Sequence, residues 1–72
     1  MQWVPAESIP AVIKQLSEKD TDSRLVAAQA LMYVGLEVKP HIEEIQAAHD
    51  READPEVRSV LSDVLYRVRQ FP

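Results

Sequence analysis

The sequence predicts an all-α domain made of two stacked antiparallel helix pairs, a fragment of an α-solenoid. Three observations indicate this: apolar residues recur every three or four positions in four segments, glycine occurs once, and one segment is repeated. DPEVRSVLSDVL, residues 54–65, echoes DTDSRLVAAQAL, residues 20–31, thirty-four positions upstream. We therefore expect a single domain over residues 1–72, with repeat one at about 6–35 and repeat two at about 39–71.

Composition and charge exclude several classes of function. The chain has 72 residues and no cysteine, which removes disulfides, thiolate zinc sites and cysteine nucleophiles. Eight Lys+Arg against twelve Asp+Glu give a net charge of −4, which argues against nucleic-acid binding because phosphates require clustered cations. No apolar run approaches the ~20 residues that span a bilayer, and no signal-peptide pattern is present. We expect a soluble domain with no membrane contact, and a cytoplasmic location is favoured.

The first predicted helix is marked by apolar residues on one helix face, Ile9, Val12, Ile13 and Leu16. Ser8 is a suitable N-cap, which would place Pro10 in the first turn, where a missing N–H does least damage. A start near Pro5 is the alternative, and it would put a kink at Pro10.

The second predicted helix begins within DTDSR, residues 20–24, and runs to Gly35, the single glycine, which suits a left-handed C-cap. Its body, LVAAQALMYV, is apolar almost all round. We therefore expect it to be covered on more than one side and to be the most buried element. A second stripe should face the following repeat: Leu25, Ala28 and Met32.

The third helix is predicted to begin at Pro40, with Glu43 and Glu44 near the positive end of its dipole. Its expected buried stripe is Ile42, Ile45, Ala48 and His49. The fourth helix has a strong start signal in Asp54 and Pro55, because an acidic cap precedes a proline at the first helical position. Its expected buried stripe is Val57, Val60, Leu61, Val64, Leu65 and Val68.

The repeated pattern resembles the HEAT-repeat family. The resemblance lies in D…R..AA.AL..VG over residues 20–35 and in DPEVR over residues 54–58. It implies a HEAT-like stack of helix pairs, in which inter-repeat bracing by hydrogen bonds falls on Asp20, Arg24, Asp54 and Arg58. In the second copy, Leu61 and Ser62 replace the alanine pair at 27–28, which indicates a terminal repeat.

The two ends of the predicted stack differ in polarity. Helix four carries polar residues on its outer side, Ser59, Ser62, Asp63 and Tyr66, so we expect this end to be a solvent-exposed cap. The opposite end of the stack carries a candidate association face on helix two, formed by Val26, Ala30 and Tyr33. Cover for this face is expected from Trp3, from a second copy of the chain or from a preceding domain.

No catalytic, cofactor-binding or metal site is predicted. His41 and His49 diverge because eight residues advance a helix by about 80° beyond two full turns, and no metalloprotease motif is present. Carboxylates cluster at helix ends and loops, where capping and solvation account for them, and a single glycine cannot build a phosphate-binding loop. We therefore predict that the protein is not an enzyme.

Two classes of function remain. The first is a non-catalytic protein–protein interaction or scaffolding module, whose partner is another protein, a preceding domain of a longer chain or a second copy in a homodimer. The second is a C-terminal accessory or docking tail of a larger bacterial enzyme such as a sulfatase, where HEAT-like helix pairs resembling this one occur. Arg24 and Arg58 either brace the loops or, alternatively, hold an acidic partner.

Overall fold

The computed structural model describes residues 9–70. This part of the chain contains four α-helices and no β-strand, which confirms the all-α class. The helices are α1 (Ile9–Gln15), α2 (Thr21–Val34), α3 (Ile42–Arg51) and α4 (Pro55–Gln70), and a 3₁₀ segment, Gly35–His41, joins α2 to α3. Ser8 and Pro5, the residues proposed for the start of the first helix, lie outside the described residues.

Asp20 caps the start of α2 as predicted, whereas Gly35 ends the helix with a positive φ but with a ψ of −136°, outside the left-handed helical region that the sequence predicted. The backbone N–H and the hydroxyl of Ser23 donate hydrogen bonds to Asp20 Oδ2, each at 3.0 Å, so Asp20 is the N-cap. At the other end, Gly35 has a φ of 73°, and its N–H donates to the carbonyl of Leu31. A residue with a side chain rarely adopts this φ, so glycine ends the helix here.

α3 begins later than predicted, at Ile42 rather than at Pro40. After Gly35 the chain continues as 3₁₀ helix through Pro40 to His41, and no side chain caps the start of α3. Val38, in the middle of this segment, is completely buried. The burial of Val38 holds the connection against the core, and the tighter 3₁₀ winding continues until the chain is past Pro40.

α4 begins where the sequence predicts. Asp54 Oδ2 accepts hydrogen bonds from the backbone N–H groups of Glu56, at 3.1 Å, and Val57, at 3.0 Å. Proline at the first helical position removes an N–H that would have had no intrahelical partner. The apolar stripe of this helix is buried at Val57, Leu61, Val64, Leu65 and Val68, and Val60 packs partly buried against the core.

α4 is the centre of the packing in residues 9–70. It lies against α2, α3 and the 3₁₀ segment, whereas α1 lies mainly against α2. The side chains with the deepest burial come from all five segments: Ile9, Leu31, Val38, Ile45, Val57 and Leu61. One continuous apolar core therefore joins the two halves of the chain.

The expectation that the second helix is the most buried element is wrong. α2 buries Ala27, Ala28 and Leu31, whereas α4 buries five side chains. The difference arises from neighbours, because α2 has an uncovered side within the described residues. Val26 on that side is 58% exposed and Tyr33 is 82% exposed. Part of the apolar surface of α2 therefore has no packing partner within the described residues.

Candidate functional site

The uncovered side of α2 forms an apolar surface, which we call the α2 face and define as Val26, Ala30 and Tyr33. The spacing of four and three residues places these side chains on one side of the helix. Val26 and Tyr33 are exposed and Ala30 is partly exposed. Trp3, the intramolecular cover proposed from the sequence, lies outside the described residues. The α2 face thus carries two of the large hydrophobic side chains that are exposed in residues 9–70, the others being Leu36 and Tyr66.

The opposite end of the molecule has the expected polar surface. The outer positions of α4 are all exposed, namely Ser59, Ser62, Asp63 and Tyr66. The hydroxyl and carboxylate groups of Ser59, Ser62 and Asp63 remain hydrated, so their exposure carries no free-energy penalty. The ring of Tyr66 is the one large hydrophobic group among these four positions, and it is 66% exposed. The outer side of α4 is therefore exposed as predicted and is mostly polar.

Between the two ends, Arg24 links the first half of the chain to the second. Its Nε donates to Glu52 Oε1 at 2.9 Å and its Nη2 to Glu52 Oε2 at 3.2 Å. Its Nη1 donates to the backbone carbonyls of Glu18, at 2.9 Å, and Lys19, at 2.8 Å. The two parallel bonds form the bidentate geometry that suits a guanidinium and a carboxylate. Arg24 thus fastens the loop before α2 to the loop before α4.

Glu52 is the residue that sequence reasoning missed. From the sequence, Glu52 is one of the loop carboxylates that solvation accounts for. In the structure, its side chain is only 4% exposed. Besides Arg24, its Oε2 accepts a hydrogen bond from the backbone N–H of Asp54 at 3.0 Å. The one available signal was spacing, because Glu52 follows Glu18 by thirty-four positions, the same offset that relates Arg58 to Arg24.

The other residues assigned to inter-repeat bracing have different contacts. Asp20 and Asp54 cap α2 and α4 within their own halves of the chain. Arg58 is exposed, and its side chain forms no hydrogen bond with any residue in the described range. Of the four predicted bracing residues, Arg24 is the one whose side chain joins the two halves.

A second polar cluster joins α3 to α4. His49 Nδ1 lies 3.1 Å from Asp50 Oδ1, and His49 Nε2 lies 2.9 Å from Ser62 Oγ. A carboxylate can only accept, so Nδ1 carries a hydrogen and donates to Asp50, while the Ser62 hydroxyl can either donate to Nε2 or accept from it. Gln46 Nε2 also donates to Asp50 Oδ1, at 2.8 Å.

The order hydroxyl, imidazole, carboxylate matches that of acyl-transfer triads, but the surroundings do not support that chemistry. Ser62 lies in the middle of α4, where its backbone N–H belongs to the helix hydrogen-bond ladder and cannot stabilise an oxyanion. Asp50 is exposed to water, and none of the three residues lines the groove between α1 and α3. The cluster therefore serves to join two helices, and the absence of catalysis stays a prediction.

The contacts of Asp50 predict a measurable titration. The hydrogen bond from His49, followed by that from Gln46, lowers the pKa of the Asp50 carboxyl from its usual value. A pKa lowered by folding stabilises the folded state at pH values above the unfolded pKa, and this contribution is lost as pH falls through the folded pKa. Carbon-13 NMR titration should show the low value in the wild type and in Ser62→Ala, and a rise in His49→Phe. An unchanged Asp50 pKa in His49→Phe would contradict this assignment.

A shallow groove of about 350 Å³ lies between α1 and α3. Arg51 Nη2 donates to Ser17 Oγ at 2.8 Å on its wall. The charged residues of the groove are two cations, Lys14 and Arg51, and one carboxylate, Glu44. The groove does not supply the convergent polar groups of a ligand site.

The remaining features of residues 9–70 add no second candidate. No group of three or more His, Asp or Glu side chains in this range is placed to hold a metal ion. No helix in the same range is both long and apolar enough to cross a membrane. Comparison with protein-family models, with curated proteins and with solved structures found no match for this chain.

Proposed function

We propose that this protein is a non-catalytic interaction module, in which two HEAT-like helix pairs stack and the α2 face binds a protein partner. The observation that carries the proposal is the exposure of two large apolar side chains, Val26 at 58% and Tyr33 at 82%, on one side of one helix. Apolar area left in water forfeits about 25 cal/mol per Å², so covering this surface favours association.

Three contacts support the stacked arrangement. α2 packs against α1 and α4, and α4 packs against α3, as expected when each pair lies against the next. Arg24 of the first unit binds Glu52 of the second through both carboxylate oxygens. Neighbouring units of a solenoid contact each other in this way, and their ends present surfaces for partners.

The chemistry of the α2 face suits a protein partner. Tyrosine offers a large, rigid apolar ring and a hydroxyl that can stay hydrated, and it is enriched among the residues that dominate binding energy. Val26 and Ala30 have smaller side chains than Tyr33, so a partner side chain can pack against them beside the tyrosine ring. A docking tail of a larger enzyme would use the same face against a domain of its own polypeptide.

A photocrosslinking experiment tests this proposal. Tyr33 is replaced by p-benzoylphenylalanine, and cells that produce the protein are irradiated. We expect a covalent adduct to a protein, because the reactive ring lies on the docking surface and is exposed to a partner. The matched control places the same group at Glu43, which is exposed on α3 away from both ends of the stack. Mass spectrometry of the adduct distinguishes a second copy of the chain from another protein.

The companion variant is Tyr33→Asp, which puts a charge on the α2 face. Because Tyr33 is 82% exposed, we expect the free energy of unfolding to change by less than about 0.5 kcal/mol. As an untagged competitor, this variant should fail to reduce the adduct, whereas the wild-type chain should reduce it. Equal adduct yields at Tyr33 and Glu43, or equal competition by both chains, would overturn the proposed docking face.

A further inference from the structure

α2 and α4 hold equivalent positions in the two units, but they have different neighbours. α4 packs against α3 of its own unit and against α2 of the preceding unit. α2 packs against α1 of its own unit and against α4 of the following unit. Within residues 9–70, α2 therefore lacks one neighbour, which is the second helix of a preceding unit.

The burial pattern locates the missing neighbour at Val26 and Ala30 of the α2 face, whereas Arg67, the α4 residue equivalent to Tyr33, is exposed like Tyr33 itself. The α4 positions equivalent to Val26 and Ala30 are Val60 and Val64, thirty-four residues later. Val64 is buried and Val60 packs partly buried against the core, whereas Val26 is 58% exposed. The side that is covered in α4 and open in α2 is the side toward a preceding unit. A helix placed on the α2 face as α2 is placed on α4 would complete the pattern.

The ends of the chain also carry the two halves of a charge pair. Inside the molecule, Arg24 of one unit binds Glu52 of the next. The equivalent residues are Arg58 and Glu18, and each is thirty-four positions from its counterpart. Both side chains are exposed and neither forms a hydrogen bond with a residue in the described range, although Arg58 lies close enough to Asp50 to interact with that carboxylate electrostatically. Within residues 9–70, Arg58 therefore has no glutamate in the position that Glu52 holds for Arg24, and Glu18 has no arginine in the position that Arg24 holds for Glu52.

We propose that the partner on the α2 face is a second copy of this chain, docked head to tail. The outer side of α4 in one copy packs on the α2 face of the next, and Arg58 of the first donates to Glu18 of the second as Arg24 donates to Glu52 within the chain. This inference rests on the proposed function and identifies its partner. The complementary charge at the two ends selects this arrangement over a symmetric contact between two α2 faces, which would bring the two Glu18 carboxylates to the same interface.

The arrangement has a distinct signature in solution. A head-to-tail contact leaves one end of each assembly open, so growth continues beyond the dimer as concentration rises. The outer side of α4 is polar at Ser59 and Ser62, so the contact buries less apolar surface than the α2–α4 contact inside the chain. We expect weak association, visible by sedimentation equilibrium between about 10 µM and about 1 mM. Rising salt should weaken it.

A charge-reversal series tests the contact. Glu18→Arg and Arg58→Glu should each weaken self-association by about tenfold, because each places like charges across the interface. The double variant Glu18→Arg/Arg58→Glu restores the pair with its polarity reversed and should recover association close to that of the wild type. Glu43→Arg and Arg67→Glu are the matched controls, since they make the same charge changes at exposed positions away from the proposed pair. Circular dichroism at each concentration verifies that every variant is folded.

Each result separates this inference from the proposed function. A wild type that stays monomeric up to about 1 mM overturns the second copy as partner, and the photocrosslinking at Tyr33 then decides whether another protein binds. Association that stops at a dimer and is lost in Tyr33→Asp but not in Arg58→Glu retains the docking face and rejects the head-to-tail contact. Failure of the double variant to recover association rejects the Arg58–Glu18 pair.

Discussion

Replacing Leu31 with alanine is expected to lower the free energy of unfolding by roughly 2–5 kcal/mol, since the side chain is fully buried and its removal leaves a cavity. For a domain of this size, that loss corresponds to a fall in melting temperature of roughly 10–30 °C. Leu65, the equivalent residue in α4, is 4% exposed, and Leu65→Ala should cost a similar amount. Because small domains have only several kcal/mol of stability, either variant could be largely unfolded at 37 °C.

The matched control for these truncations is Ser62→Ala. Ser62 is exposed, and its loss leaves His49 free to bond water, so we expect a change within about 0.5 kcal/mol. Thermal unfolding followed by circular dichroism measures all three variants. Equal losses from Ser62→Ala and the two leucine truncations would show that the buried and exposed faces are misassigned.

Removing the Arg24 side chain should have the second large effect. Arg24→Ala leaves the Glu52 carboxylate, which is 4% exposed, without its charged partner. Breaking a buried ion pair from one side costs about 3–5 kcal/mol, and we expect the lower end of this range because Arg24 itself is 18% exposed. Two loop carbonyls, those of Glu18 and Lys19, also lose their donor. Urea unfolding of the variant measures the loss.

Arg58→Ala is the matched control for Arg24→Ala, because it makes the same truncation at the equivalent position in the second unit. Arg58 is exposed and forms no hydrogen bond within residues 9–70, so its removal should change stability by less than about 0.5 kcal/mol. A double variant, Arg24→Met/Glu52→Leu, removes both charges and should recover most of the loss. Similar losses from Arg24→Ala and Arg58→Ala would show that the Arg24–Glu52 pair is not what stabilises the junction.

Features that depend on neighbouring residues could be predicted from the sequence. Asp20 and Asp54 cap their helices because an acidic side chain reaches the N–H two or three residues ahead, whatever lies around it. Gly35 ends α2 because glycine alone adopts a positive φ without strain. The buried stripe of α4 follows from periodicity in the same way, since the spacing of its apolar residues fixes which side turns inward.

Features that depend on distant parts of the chain could not be predicted in this way. Glu52 is buried because Arg24, twenty-eight positions away, reaches it, and nothing near Glu52 in the sequence marks it as different from its solvated neighbours. Val38 stands between the second and third predicted helices, and its complete burial within the 3₁₀ segment depends on the core that the rest of the chain builds around it. Pro40 is a plausible first residue of a helix, but the anchoring of Val38 delays the start of α3 to Ile42.

The spacing of Val26, Ala30 and Tyr33 predicts that they share one helix face, and the structure leaves Val26 and Tyr33 exposed. Docking at this face stays a proposal. The expectation that α2 is the most buried helix was wrong because composition reports what a helix can bury, whereas packing depends on which neighbours are present. The exposed apolar side chains of α2 are therefore the feature that indicates a binding partner.

The ion pair between Arg24 and Glu52 has a consequence for how the molecule comes apart. A helical protein can unfold part by part when the coupling between its parts is weak. If α1 and α2 unfolded alone, Glu52 would lose its charged partner while it stayed beside the folded α3 and α4, and such a partly folded species is strongly disfavoured. Denaturation should then be cooperative, with α1 and α4 losing protection from hydrogen exchange together and with coincident transitions from different probes. The double variant Arg24→Met/Glu52→Leu lacks this electrostatic coupling, so we expect α1 and α2 to unfold locally without α3 and α4.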